Sequence, residues 1–200
     1  MSSPVAVTLA STSATRVALL RGAGVDFEAM SPGVDEAAVK EGLLAEGASA
    51  RDVADLLAEL KAVRASTRRP GLVIGADQTL ELGGELVDKA ESLEAARERL
   101  LSLRGRTHVL HSAVVVARDG TPIWRELKSP RLTVRAFSDA WLDGYLAREG
   151  EALLGSVGCY RLEGEGIQLF DRIDGDYFAI LGLPLTGLLG VLRQHGAVAE

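Results

Sequence analysis

Short apolar, β-branched runs alternate along the chain with stretches whose apolar residues recur three or four positions apart. This predicts interleaved strands and helices. Val5 to Ala10 reads as a buried strand, Ser11-Thr12-Ser13 as a turn rich in N-caps, and Ala14 to Gly22 as a helix stopped by Gly22 and Gly24. Val25 to Ala29 is expected to be a second strand, followed by a loop at Ser31-Pro32-Gly33. Asp35-Glu36 opens an Ala-rich stretch that breaks between Gly42 and Ala48. The strongest helix pattern is Asp52 to Ser66, with an apolar stripe from Val53, Leu56, Leu57, Leu60, Ala62 and Val63. Leu72 to Ala76 reads as a buried strand ending at Asp77, and Leu80 to Val87 as a hairpin around Gly83-Gly84. Ser92 to Leu103 is a capped helix. Thr107 to Ala117 pairs with Pro122 to Leu127 across Asp119-Gly120, and Arg131 to Phe137 is a further strand. Ser138 to Glu149 is helical, and the segment Gly155 to Gly166 is glycine-rich. Ile167 to Ile173 and Tyr177 to Leu181 read as strands before a last helix beyond Pro184. The order mixes hairpins with strand–helix units, which predicts one α/β domain over residues 1–200, a mixed twisted central sheet flanked by helices.

A hydrophobic content of 47% and a charged content of 25% exclude a disordered chain. The net charge of −6 argues against general binding to nucleic acid or a membrane surface, while leaving room for an anionic small ligand in a local basic pocket. The single Cys159 excludes an internal disulfide and fits a reducing compartment. Met1 to Ala10 has no basic, apolar signal pattern, and glycines and Pro184 interrupt the apolar stretch Tyr177 to Leu192. The expectation is a cytoplasmic protein.

The chain lacks a phosphate-loop motif, a dinucleotide glycine fingerprint and a G-x-S-x-G turn. Three histidines and one cysteine make no standard zinc site, and His108 and His111, three apart on a strand, are expected to be structural or exposed. Asp77 closes a strand, where α/β sheets bind ligands, although capping is the commoner role for an isolated Asp. Ser11, Thr12, Ser13 and Arg16 stand at a strand-to-helix turn that suits a phosphate; spacing alone favours ordinary N-capping. Lys61 sits late in a helix and Lys89 follows a hairpin.

In order, these segments resemble the Maf family of nucleoside triphosphate pyrophosphatases. Leu9 to Leu20 is similar to the family's L-A-S-x-S-P-R-R-x-x-L-L opening, and Gly24 to Phe27 and Val34 to Glu36 follow at its spacing. Leu57 to Ala62 resembles L-A-x-x-K-A, Val73 to Asp77 the V-x-G-[AS]-D segment, Lys89 the G-K-P lysine, and Leu103 to His108 L-S-G-x-T-H. Gly175-Asp176-Tyr177 and Gly182 to Leu185 complete the match. The resemblance implies a Maf/ITPase-like fold and hydrolysis between the α- and β-phosphates with a divalent cation, Mg²⁺ or Mn²⁺ on hard-oxygen grounds. It implies Asp77 as general base and Glu36, Lys61 and Lys89 as further catalytic residues. Ser11, Ser13 and Arg16 would hold phosphates, Glu36 and Asp77 the metal. A homodimer is also implied.

Asp77-Gln78 and Glu163-Gly164-Glu165-Gly166-Ile167 are similar to the family's 7-methyl-GTP branch; the dTTP/UTP branch has Thr and Gln at positions 78 and 163. Thr15, Gln78 and Glu163 are therefore the expected base-specificity positions. Thr15 departs from both branches, which carry Trp or Arg there, and can neither stack on a base nor fork to a phosphate. Ala14 replaces the family Pro, and Ser156-Val157-Gly158 replaces the pyrimidine branch's K-A-G. A dTTP/UTP pyrophosphatase is the alternative, as is a non-catalytic regulator of septum formation.

Overall fold

A computed structural model describes residues 5–199; Met1 to Pro4, part of the segment read above for a signal, and Glu200 lie outside it. The strands are β1 Val7–Leu9, β2 Glu28–Ala29, β3 Leu72–Leu82, β4 Glu85–Val87, β5 Thr107–Arg118, β6 Thr121–Lys128, β7 Arg131–Val134 and β8 Phe170–Asp174. The helices are α1 Ala14–Gly22, α2 Glu36–Ala45, α3 Ala50–Ser66, α4 Leu93–Leu103, α5 Asp139–Glu149, α6 Tyr177–Ile180 and α7 Leu185–Gln194. The sheet runs β2-β1-β3-β5-β7-β8, with β4 pairing β3 and β6 pairing β5. Pairing is parallel among β2, β1 and β3 and antiparallel elsewhere, which gives the expected mixed α/β sheet. Among the described residues, no helix is long and apolar enough to cross a membrane.

The two faces of the sheet are covered differently. On one, Ala54, Ala58 and Ala62 of α3 lie on Ala113, Val115 and Ala117 of β5, a small-on-small contact that lets helix and sheet approach closely. Gly75 allows this approach: a Cβ there would lie 2.2 Å from the Ala58 carbonyl oxygen and 2.4 Å from the Ala62 nitrogen. The helix begins two residues before the predicted Asp52 because Ser49 and Asp52 form a capping box.

The opposite face carries two apolar clusters. One joins Ile74, Ala76, Val114 and Val116 to α1 and α7 through Leu20, Leu188 and Leu192. The other joins Leu80, Leu110 and Leu132 to α4 and α5 through Leu100, Leu103, Leu142 and Tyr145. Between them, on the same face, sits the cross-strand pair Gln78–Ser112.

Several expectations need correcting. Asp77 does not end its strand: β3 runs on to Leu82 because Val73 to Glu81 are paired throughout with β5. Tyr177 to Leu181 is not a strand; Asp176 accepts a hydrogen bond from the Ala179 N–H at 2.7 Å and caps the short α6. Within Ile167 to Ile173, a 3₁₀ turn over Glu165–Leu169 precedes β8. The strand Val25 to Ala29 shrinks to Glu28–Ala29, and Arg131 to Phe137 to Arg131–Val134. His108 and His111 are both structural and buried. His108 Nε2 lies 2.7 Å from the Tyr160 hydroxyl, and burial pushes its pKa down to about 4. His111 bridges Ser129 and Glu81.

Candidate active site

The site lies at a gap in the sheet. Strand β1 covers the free edge of β3 only as far as Ile74, and β4 begins pairing at Leu80. Residues 75–79 of β3 therefore have β5 on one edge and a cleft on the other, with Asp77 at the centre. The cleft, about 1080 Å³, is large enough for a nucleotide. Its walls include Ser11, Ser13, Thr15, Arg16, Glu36, Lys61, Asp77, Gln78, Lys89 and Glu163, so every site residue expected from the sequence faces one cavity.

Strand alternation divides the chemistry. Asp77 points to the α3 side, where the buried Lys61 ammonium donates to its Oδ1 at 2.7 Å. Glu36, at the start of α2, approaches the same ammonium at 2.9 Å. Two carboxylates thus converge on one cation whose side chain is only 5% exposed. Lys61 balances the buried charge of Asp77, and the half-exposed Glu36 faces the cleft.

Arg16 is held by its own hydrogen bonds. Nε donates to the Gly182 carbonyl at 2.9 Å, and one terminal nitrogen donates to the Ala76 carbonyl at 3.0 Å and to Ser11 Oγ at 3.4 Å. Burial lowers its pKa, opposed by the charges of Asp77 and Glu36, and a guanidinium remains a cation under such a shift. Ser13 acts as the N-cap of α1, accepting from the Arg16 N–H, and Ser11 Oγ accepts from the Ser13 N–H. The capping reading therefore holds for Ser13, while the buried Ser11 hydroxyl braces the turn, and both line the same cleft. Lys89 also lines the cleft and is exposed.

Gln78 points the other way, toward α6. Its amide nitrogen donates to Ser112 Oγ at 2.7 Å and to the Ala179 and Ile180 carbonyls, each at 3.0 Å. The buried Ser112 hydroxyl itself donates to the Ala179 carbonyl at 2.5 Å. An amide oxygen turned toward two carbonyls would be repelled, so the orientation is fixed. The sequence offers a Gln able to donate and accept; the fold commits the donor and leaves Oε1 as the free end. Glu163, on the wall of the cleft, lies 3.6 Å from the Arg161 guanidinium.

The fold also ties in Ser156, marked above only as a departure from a family motif, and Arg99 and Lys40, which no motif singled out. Ser156 exchanges hydrogen bonds with the backbone N–H and carbonyl of Tyr160, at 3.1 and 2.9 Å, and closes the loop that carries Tyr160 into the cleft. Arg99 of α4 donates to the Asp88 carbonyl at 2.5 Å and the Val157 carbonyl at 2.9 Å, tying two rim loops together. Lys40 of α2 lines the cleft and pairs with Asp88. Its signal in the sequence is the four-residue spacing from Glu36, which places both on one helix face.

The Maf-like protein family model matches residues 6–195. A nucleoside triphosphate pyrophosphatase of Caulobacter vibrioides is 70% identical over 192 residues, covering 96% of each chain. A 7-methyl-GTP pyrophosphatase of Brucella abortus is 48% identical, covering 97% of this chain and 98% of its own. A 7-methyl-GTP pyrophosphatase of Mesorhizobium japonicum is 50% identical, covering 96% and 97%. With nearly its whole length matched in this way, the chain belongs to the Maf-like protein family.

Proposed function

We propose that this protein is a nucleoside triphosphate pyrophosphatase that cleaves the α–β phosphoanhydride, with 7-methyl-GTP preferred over dTTP and UTP. The observation that carries the reading is the Asp77–Lys61–Glu36 cluster in a nucleotide-sized cleft beside Arg16. The names of the relatives agree with it.

Water attacks the α-phosphorus, and Asp77 takes its proton. The bond from that phosphorus to the bridging oxygen breaks, and the electron pair leaves with pyrophosphate. Lys61 holds the Asp77 carboxylate in place, while Arg16 and Lys89 offset phosphate charge. Glu36 and Asp77 would hold a Mg²⁺ or Mn²⁺ ion. Their hard oxygens, already gathered on one ammonium, suit such an ion. Among the described residues no group of three or more His, Cys, Asp or Glu gathers, so substrate and water would complete the coordination. When bound, the ion supplies further stabilisation of phosphate charge. A free nucleotide substrate and a single buried cysteine fit a cytoplasmic location.

For the base, Gln78 Oε1 and the Glu163 carboxylate are both acceptors, and a guanine edge offers N–H donors to both. Pyrophosphate release measured over a panel of nucleotides tests this. Wild type is expected to show a higher kcat/KM for 7-methyl-GTP than for dTTP or UTP. Glu163→Gln should lower the guanine value selectively, by roughly 1.5–3 kcal/mol of lost charged hydrogen bonding. A preference for dTTP or UTP that Glu163→Gln leaves unchanged overturns the assignment of the base; absence of release with every nucleotide overturns the enzyme.

A further inference from the structure

Helix α2 presents Glu36, Lys40 and Leu44, one turn apart, to the cleft, and none of its residues is buried. Its first position on that face, Glu36, reaches the reaction centre through Lys61. Lys40 stands about 6 Å further along the helix axis, a distance comparable to the length of a pyrophosphate group. Its ammonium is paired with Asp88, which also lines the cleft and immediately precedes Lys89. We propose that Lys40 is a further substrate-binding residue, which exchanges Asp88 for the β- and γ-phosphates of the nucleotide and for the pyrophosphate product.

The exchange follows from charge and exposure. The Lys40 and Asp88 side chains are 28% and 60% exposed, and a single pair so open to solvent is weak. A polyphosphate offers more charge and more acceptor oxygens than one carboxylate, so an ammonium already lining the cleft gains by changing partner. Asp88 can release it without moving its loop, because Arg99 holds the Asp88 and Val157 carbonyls independently of the Asp88 side chain. Lys40 and Lys89, both on the wall of the cleft, then both offset the charge of the leaving group.

This inference rests on α–β cleavage, and the test separates the two. Calorimetric titration with magnesium pyrophosphate, and separately with the monophosphate of the preferred base, is carried out on wild type, Lys40→Ala and Asp88→Asn. Lys40→Ala is expected to weaken pyrophosphate binding about tenfold, as for a lost charged hydrogen bond, and to leave the monophosphate unaffected. Asp88→Asn removes the competing anion and should tighten pyrophosphate binding several-fold. A purely structural latch across the cleft would make both variants move binding in the same direction; that result, or no change in either, overturns the proposal. Failure of wild type to bind pyrophosphate overturns this role, whereas the cleavage reading is overturned by release of diphosphate and orthophosphate instead of monophosphate and pyrophosphate.

Discussion

Replacing Asp77 by Asn is expected to leave the fold and nucleotide binding intact and to lower turnover by roughly 10²–10⁴-fold, the usual contribution of a positioned base. Asn keeps an oxygen that can accept from Lys61, and the Lys61 ammonium retains the Glu36 carboxylate, so no buried charge is stranded. What is lost is the proton acceptor beside the cleft, together with the carboxylate charge that Asp77 would offer the divalent ion. Single-turnover kinetics with nucleotide binding measured in parallel check this. Near-normal turnover would transfer the base role to Glu36, the other carboxylate on the same ammonium.

A second large effect is expected away from the reacting groups. Gly75→Ala inserts a Cβ 2.2 Å from one backbone atom of α3 and 2.4 Å from another. Neither can yield as a flexible side chain would, so α3 must lift off the sheet. Overpacking against backbone should cost about 3 kcal/mol or more. For a chain of this length that is a fall in Tm of about 6–12 °C. The same displacement carries Lys61 away from Asp77, so activity should drop even where the variant remains folded. Gly42→Ala is the control: it is interior to α2 with open space around it, and should be neutral or stabilising by up to about 1 kcal/mol. Thermal unfolding of the two variants beside wild type measures the difference.

Strong local patterns account for what could be read from the sequence. Helices α1, α3, α4, α5 and α7 carry caps or apolar stripes, and the β3–β4 and β5–β6 hairpins carry glycine turns, so local chemistry and fold agree. Strand β3 was legible only to Ala76, because Asp77, Gln78 and Thr79 interrupt its apolar run. Pairing with β5, a long-range interaction, is what extends it through the site. Helix α6 resembles a strand because four apolar or aromatic residues fit either period; the distinguishing cue is the Asp176 cap. Helix α2 buries nothing, so periodicity could say little about it, and Lys40 went unmarked. The expected site residues were legible through the family motifs. The partners that fix them, Ser112 on Gln78 and Arg99 on the rim loops, come from distant segments that the fold alone brings together.

The central claim is attack at the α-phosphorus within the Asp77 cleft. Hydrolysis of the preferred nucleotide with Mg²⁺ in ¹⁸O-enriched water, followed by mass analysis of the products, tests it directly. The prediction is nucleoside monophosphate and pyrophosphate, with the heavy oxygen in the monophosphate and the label-forming activity lost in Asp77→Asn. Nucleoside diphosphate with labelled orthophosphate, or labelled pyrophosphate beside unlabelled monophosphate, would contradict it.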